Sequence, residues 1–206
     1  MSQFFYIHPQ NPQTRLINQS VDVLRKGGVL VYPTDSGYAL GCMLGEKNAM
    51  ERICQIRHLD SNHNFTIVCR DLSEISTYAY VDNAAFRLIK NNTPGNYTFI
   101  LKATKEVPRR LMSEKRKTIG LRVPSNEIAL ALLEALNEPL MSTTLMLPGN
   151  DFAESDPEEI QDHLGKRVDL IIHGGFLGQK PTTVIDLTDS APVVVREGTG
   201  DISPFQ

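Results

Sequence analysis

A single α/β domain built on a mixed β-sheet is the fold this sequence predicts, and three observations predict it. Apolar runs rich in β-branched residues alternate along the chain with segments of helical periodicity. No Ser/Gly linker, low-complexity tract or internal period divides the chain. At 206 residues and 41% hydrophobic, the chain can build one sizeable core, whereas two domains would each be small. The expected domain therefore spans 1–206.

The elements follow in order. MSQFFYIHP reads as a short edge strand, and Asn11-Pro12 opens a helix whose Leu16, Ile17, Val21 and Leu24 share one face until Gly27-Gly28 ends it. VLVYP, continuously apolar, reads as a buried strand; a polar loop follows, then the helical composition of EKNAMERICQIR. FTIVC gives a second buried strand, a helix starts near Ser73, DNAAFRLIK gives another, and the alternating YTFILK a third strand. After the long connection ATKEVPRRLMSEKRK come strand TIGLRV, helix NEIALALLEALN stopped by Pro139, strand LMSTT and a helix near DPEEIQDHL. Strands VDLII, TTVIDL and PVVVR complete the chain; strand order is beyond a single sequence.

Charge and cysteine content narrow the setting. A net charge of −3 and pI near 6.0 exclude a uniformly basic nucleic-acid coat. Three cysteines, Cys42, Cys54 and Cys69, with no CxxC or Cys-His cluster, indicate neither a disulfide framework nor a zinc site, so no structural metal is expected and a reducing cytoplasm is. The first twenty residues lack a secretory pattern, and no apolar run approaches the ~18 residues that span a bilayer, so a soluble, unexported protein is expected.

Candidate chemistry sits where strands end. In YPTDSGYALG, Gly37 and Gly41 let backbone approach a ligand, and Thr34, Asp35, Ser36 and Tyr38 offer hydroxyl and carboxylate contacts at the carboxyl end of a strand, where α/β sheets bind ligands. Taken alone, that loop is better explained by a tight turn after Pro33. The same habit recurs in NNTPGNYTF, GLRVPSN, MSTTLMLPG and GGFLGQKPTTVIDL.

In order and spacing, these segments resemble the YrdC-like family, whose best-known members are threonylcarbamoyl-AMP synthases, and within it the YciO branch. PTDSGYALG matches the family's PT-x-T-x-YGLG, PGNYT its PGPLT, LRVP its RxP and TTVID its STVVD, while Arg196-Glu197-Gly198 matches its R-E-G. The resemblance covers nearly the whole chain. It implies a twisted mixed sheet with flanking helices around a concave cavity, and places Thr34, Tyr38, Arg57, Thr98, Arg122, Thr144, Thr183 and Arg196 at ligand-binding positions. It further implies ATP with magnesium, with threonine or another small molecule as co-ligand. In such a synthase, threonine and bicarbonate combine and the carbamate attacks the α-phosphate of ATP, releasing pyrophosphate, for tRNA modification. Cations and hydrogen-bond donors must then surround the phosphate oxygens.

Two departures from the family pattern fall on the nucleotide-gripping motifs. Where the family reads K-x-R this chain has Arg57-His58-Leu59, and where it reads S-x-N this chain has Thr144-Leu145-Met146. Leu59 carries no donor, and Met146 offers only a weak thioether acceptor. Synthase activity is therefore expected to be absent or greatly weakened, with a cavity for an anionic or nucleotide-like ligand retained. His58 and His63 flank Asp60 without a metal-ligand spacing, and HLDSNHN reads as a polar turn.

One stretch reverses the sign of the chain. Lys102, Lys105, Arg109, Arg110, Lys115, Arg116 and Lys117 outnumber Glu106 and Glu114 to give a local net charge of +5, leaving −8 for the remainder. Solvation accounts for most such runs, but the resemblance to proteins with a basic RNA-binding face gives this one a second reading. The run contains no aromatic residue, so stacking on single strands is disfavoured and double-stranded RNA or tRNA is the expected partner. The expected function is thus an RNA-binding protein with a nucleotide or anion cavity. The alternatives are an active threonylcarbamoyladenylate synthase and a nucleotide hydrolase.

Overall fold

The computed structural model of the chain describes residues 1–60, 63 and 65–206. The turn expected over HLDSNHN falls partly on residues 61, 62 and 64, outside the described residues.

The strands are β1 (Gln3–Tyr6), β2 (Leu30–Thr34), β3 (Gly37–Met43), β4 (Thr66–Val68), β5 (Tyr97–Lys102), β6 (Thr118–Arg122), β7 (Leu140–Thr144), β8 (Leu170–His173), β9 (Thr183–Asp186) and β10 (Val193–Arg196). The helices are α1 (Thr14–Arg25), α2 (Lys47–Arg57), α3 (Leu72–Tyr78), α4 (Asn83–Asn91), α5 (Glu127–Leu136) and α6 (Pro157–Leu164). Short polar side chains start four of them. Asp71, Asp82, Asn126 and Asp156 each accept hydrogen bonds from the first-turn amides of α3, α4, α5 and α6, satisfying donors that have no intrahelical partner. α5 ends at Asn137, whose left-handed φ of 57° closes the helix before Pro139.

The sheet is mixed, in the order β1-β8-β2-β3-β7-β4-β6-β5-β9-β10. β8 pairs in parallel with β1 and β2, as do β4 with β6 and β5 with β9, whereas β2–β3, β3–β7, β4–β7, β5–β6 and β9–β10 are antiparallel.

One element departs from the strand, loop and helix expected after VLVYP. Asp35-Ser36 is only the tip of a hairpin, and the chain returns at once as β3, with Thr34 opposite Gly37 and Leu30 opposite Gly41. The glycines that make GYALGCM look like loop have packing reasons. A Cβ on Gly41 would lie 2.9 Å from the Tyr32 ring, and Gly37 adopts φ +108° with Ala153 close against it.

Alternation along the strands sends side chains to two apolar clusters. Leu30, Tyr32, Val68, Leu140, Leu170 and Ile172 pack with Ile17, Val21 and Leu24 of α1 and Ile128, Leu132 and Leu136 of α5. Their neighbours Val31, Leu40, Ile67, Met141 and Ile171 join Ile53, Ile75, Ile89 and Ile160 from α2, α3, α4 and α6. Pairing continues the first of these faces across the sheet: Thr66 lies opposite Ser142 and Gly120, Val68 opposite Arg122, and Thr98 opposite Val184. There the apolar cluster gives way to hydroxyls, glycine and arginine.

Candidate functional site

Those residues line a cavity of about 470 Å³, within the size range of small-molecule sites. Four arginines (Arg57, Arg116, Arg122 and Arg196) and His63 line it, together with Thr34, Ser36, Thr66, Thr98, Ser113, Thr118, Ser142, Thr143, Thr144 and Thr182. Among the described lining residues there is no carboxylate.

Each arginine is held differently. Arg122, at the end of β6, is buried, with Nη1 donating to Ser36 Oγ at 3.0 Å and Nη2 to Asp35 Oδ1 in a close ion pair. Asp35 also accepts from the Ser125 amide and hydroxyl, so the β2–β3 tip is clamped to the residues following β6. Buried Nε of Arg122 has no hydrogen-bond partner among the described residues. Arg116 Nη1 donates to Asp186 at 2.9 Å and Nη2 to Thr188 at 2.7 Å. Arg57 and Arg196, by contrast, make their described hydrogen bonds to neutral oxygens. Arg57 Nη1 reaches Thr143 Oγ1 at 2.6 Å and its Nε the Met146 carbonyl at 3.2 Å; Arg196 Nε and Nη2 reach the Thr182 carbonyl at 3.1 and 2.9 Å. Burial lowers the pKa of both guanidinium groups, yet arginine stays charged at neutral pH.

Seven of the eight ligand positions expected from sequence line this cavity: Thr34, Tyr38, Arg57, Thr98, Arg122, Thr144 and Arg196. Two of them have hydroxyls already engaged in holding the fold. Thr34 Oγ1 donates to the Gly37 carbonyl at 2.6 Å and accepts from the Ser36 amide, closing the hairpin. Tyr38 donates to the Gly175 carbonyl at 2.6 Å and accepts from the Gly174 amide, and burial pushes its pKa up to about 12. The eighth, Thr183, lies outside the lining. It is fully buried, with Oγ1 donating to the Gly200 carbonyl and accepting from the Gly198 amide, and its neighbour Thr182 takes the cavity position. Thr182 immediately precedes β9 and lines the cavity with Val184, while Thr183 between them turns the other way, as extended backbone alternates. Thr182 Oγ1 meets Thr98 Oγ1 at 2.9 Å.

The two departures from the family pattern separate in space. Met146 lines the cavity, while Leu59 packs, half-buried, against the apolar cluster and is absent from the lining. Leu59 makes no contact with the cavity, in keeping with the expected loss of a cation at this position. His63, in the segment assigned from sequence to a polar turn, lines the cavity. Its Nε2 lies 3.4 Å from Thr143 Oγ1, and its ring meets Phe65 edge-on at 5.2 Å. Burial first, and then Arg57, holds its pKa below the ordinary histidine value against the opposing pull of Asp60. An alternating reading of Thr118-Ile119-Gly120-Leu121-Arg122 outward from Arg122 would have found Gly120 and Thr118. No signal in the sequence pointed to His63.

All seven residues of the basic run are exposed, but the run is a structured strap. Between β5 and β6 it carries a short 3₁₀ helix, Arg109–Leu111, and contributes Leu111, Ser113 and Arg116 to the cavity wall. Arg116 is latched to Asp186, and Arg110 pairs with Glu51 at 3.3 Å. Lys102, Lys105, Arg109, Lys115 and Lys117 have no described side-chain hydrogen bond or ion pair. No helix among the described residues is long and apolar enough to cross a membrane, and no group of three His, Cys, Asp or Glu converges to hold a metal ion.

A family model named Sua5/yciO/yrdC and described as "Telomere recombination" matches residues 22–198. The chain is 78% identical over 205 residues to a protein of Escherichia coli described as "Uncharacterized protein YciO", with all of both chains covered. The crystal structure of E. coli YciO superposes with a TM-score of 0.96 at 77% identity over the whole of both chains. A threonylcarbamoyl-AMP synthase of Pyrococcus abyssi is 30% identical over 178 residues, 85% of this chain and 52% of the synthase. The structure of P. abyssi Sua5 complexed with L-threonine matches 96% of this chain and 58% of that one, with a TM-score of 0.87 at 25% identity.

Proposed function

The chain belongs to the Sua5/YciO/YrdC family, and from that premise we propose that its arginine-lined cavity binds a phosphate-bearing nucleotide, ATP with magnesium being the first candidate. One observation carries the reading: Arg57, half-buried, and Arg196, at the exposed edge of the cavity, are cations whose described hydrogen bonds go to neutral oxygens. A cation partly withdrawn from water without a described counter-charge, as Arg57 is, carries a cost that an anion entering between the two arginines would offset. The unpartnered Nε of Arg122 and the ring of hydroxyls add donors for phosphate oxygens. With no carboxylate in the described lining, magnesium would be held by the nucleotide's own phosphates. L-threonine, bound by P. abyssi Sua5, is the proposed co-ligand.

Threonylcarbamoyl-AMP synthesis, if any, is expected to be slow, because Met146 occupies the cavity wall where the family pattern has an amide. Incubating the protein with ATP, magnesium, threonine and bicarbonate tests this directly. Binding of ATP with little threonine-dependent pyrophosphate is the expected outcome. Pyrophosphate release at the rate of an authentic synthase overturns the weakened-activity reading, and threonine-independent AMP release favours a hydrolase.

A second reading concerns RNA. The cations of the strap that are not tied to carboxylates, Lys102, Lys105, Arg109, Lys115 and Lys117, favour a duplex or tRNA backbone as a partner, because phosphate neutralisation supplies sequence-independent affinity. A role close to tRNA modification in the cytoplasm would fit that partner.

A further inference from the structure

The strap has a second side. Between Pro108–Leu111, the first turns of α2 and the end of β3 lies another cavity, of about 520 Å³. Its inner surface is Cys42, Met50, Leu111 and Met141, all buried, with Met43 beside them. Its rim is charged: Lys47, Arg109 and Arg110 against Glu46 and Glu51. Arg110 is engaged by Glu51, whereas Arg109 and Lys47 have no described side-chain partner, and three cations against two carboxylates leave the rim one positive charge in excess. The cavity shares Leu111 with the arginine-lined cavity but none of its polar residues.

We propose that this is a second ligand site, for a small amphipathic monoanion whose apolar body lies on the methionines and whose carboxylate or sulfonate meets Arg109. Three unbranched thioether side chains adapt their shape to aliphatic and aromatic bodies alike. The buried floor favours apolar area, and the single surplus cation selects one negative charge at the mouth over the several that the four-arginine cavity would take. The inference stands apart from the nucleotide reading, since neither set of contacts contains the other's charged groups.

The test titrates the full chain with 1-anilinonaphthalene-8-sulfonate, an aromatic monoanion, and then displaces it with decanoate. Dye fluorescence should rise on binding and fall with decanoate. Arg109→Glu, a change at the exposed rim, should weaken the dye roughly tenfold, the loss of about one charge-assisted contact. Met50→Lys should abolish binding, and Arg196→Ala in the other cavity should leave it unchanged. Should Met50→Lys fail to unfold cooperatively, Arg109→Glu still decides. No fluorescence rise, equal binding in Arg109→Glu, undiminished binding in a folded Met50→Lys protein, or displacement by ATP in place of decanoate would each overturn the proposal. The last would put the dye among the four arginines, and failure of ATP to bind at all would leave this site untouched.

Discussion

Replacing Asp35 by alanine should be among the most damaging single changes near the cavity. The carboxylate and the Arg122 guanidinium form an ion pair in which the two side chains are 10% and 9% exposed. Without Asp35, the guanidinium keeps only Ser36 Oγ among its described partners, its Nε being unpartnered already. Breaking a buried pair from one side costs about 3–5 kcal/mol, because the desolvation of the remaining charge is no longer offset. For a domain of this size each kcal/mol lowers Tm by about 2–4 °C, so a fall of roughly 6–20 °C is expected. Arg122→Met should cost less, since the Ser125 amide and hydroxyl continue to donate to Asp35. The double variant removes both charges and should lose markedly less than the sum of the two singles, a coupling that a urea-denaturation double-mutant cycle measures. A loss below about 1 kcal/mol in Asp35→Ala, or additive singles, would refute the reasoning that desolvation of Arg122 dominates.

The remaining predictions concern the cavity and the strap. Met146→Asn should raise ATP affinity by roughly two- to tenfold, the range of one net hydrogen bond, whereas Leu59→Arg should cost about 1–3 kcal/mol of stability with no gain in affinity; calorimetric titration and denaturation separate the two. Gly120→Val should fill the floor, because a Cβ there lies 3.3 Å from Thr98 Cγ2 and 3.4 Å from Thr66 Oγ1; ATP binding should fall at least tenfold for about 1–3 kcal/mol of overpacking. His63 has a lowered pKa in the folded chain, so the unfolded chain takes up that proton first as the pH falls. The stability it contributes is then complete above about pH 6.5 and declines below it, and His63→Gln should flatten this decline in denaturation curves at pH 7.5 and 5.5. Reversing Lys102, Lys105 and Lys115 to Glu should weaken duplex RNA binding and reduce its salt slope by about 0.9 per lost phosphate contact; an unchanged slope removes the strap from RNA recognition.

What could be read from the sequence was set by how strongly each segment signals its neighbours. Helices with capping carboxylates or amides, such as Asn126 before α5, and strands with continuous apolar runs declare themselves locally. β3 did not, because its glycines serve contacts with Tyr32 and Ala153 that exist only after folding. Family motifs located the cavity, yet motif position alone could not distinguish Thr182 from Thr183, which extended backbone at the start of β9 turns in opposite directions. That Leu59 would turn into the apolar cluster was not legible, because sequence distance from Arg57 says nothing about which way a side chain leaves the end of a helix. The pairing of Arg116 with Asp186, 70 residues away, was equally invisible; it turns part of an apparent solvated charge run into a latched cavity wall.

Everything proposed for the cavity depends on Arg57 and Arg196 serving as cations for an incoming polyanion. Calorimetric titration of magnesium-ATP into the wild-type chain and into the Arg57→Ala, Arg196→Ala double variant at low ionic strength measures this most directly. Two charge-assisted contacts at about 1.5–3 kcal/mol each predict at least a hundredfold loss of affinity in the variant. Equal binding by the two proteins, or no heat of binding in the wild type, would contradict it.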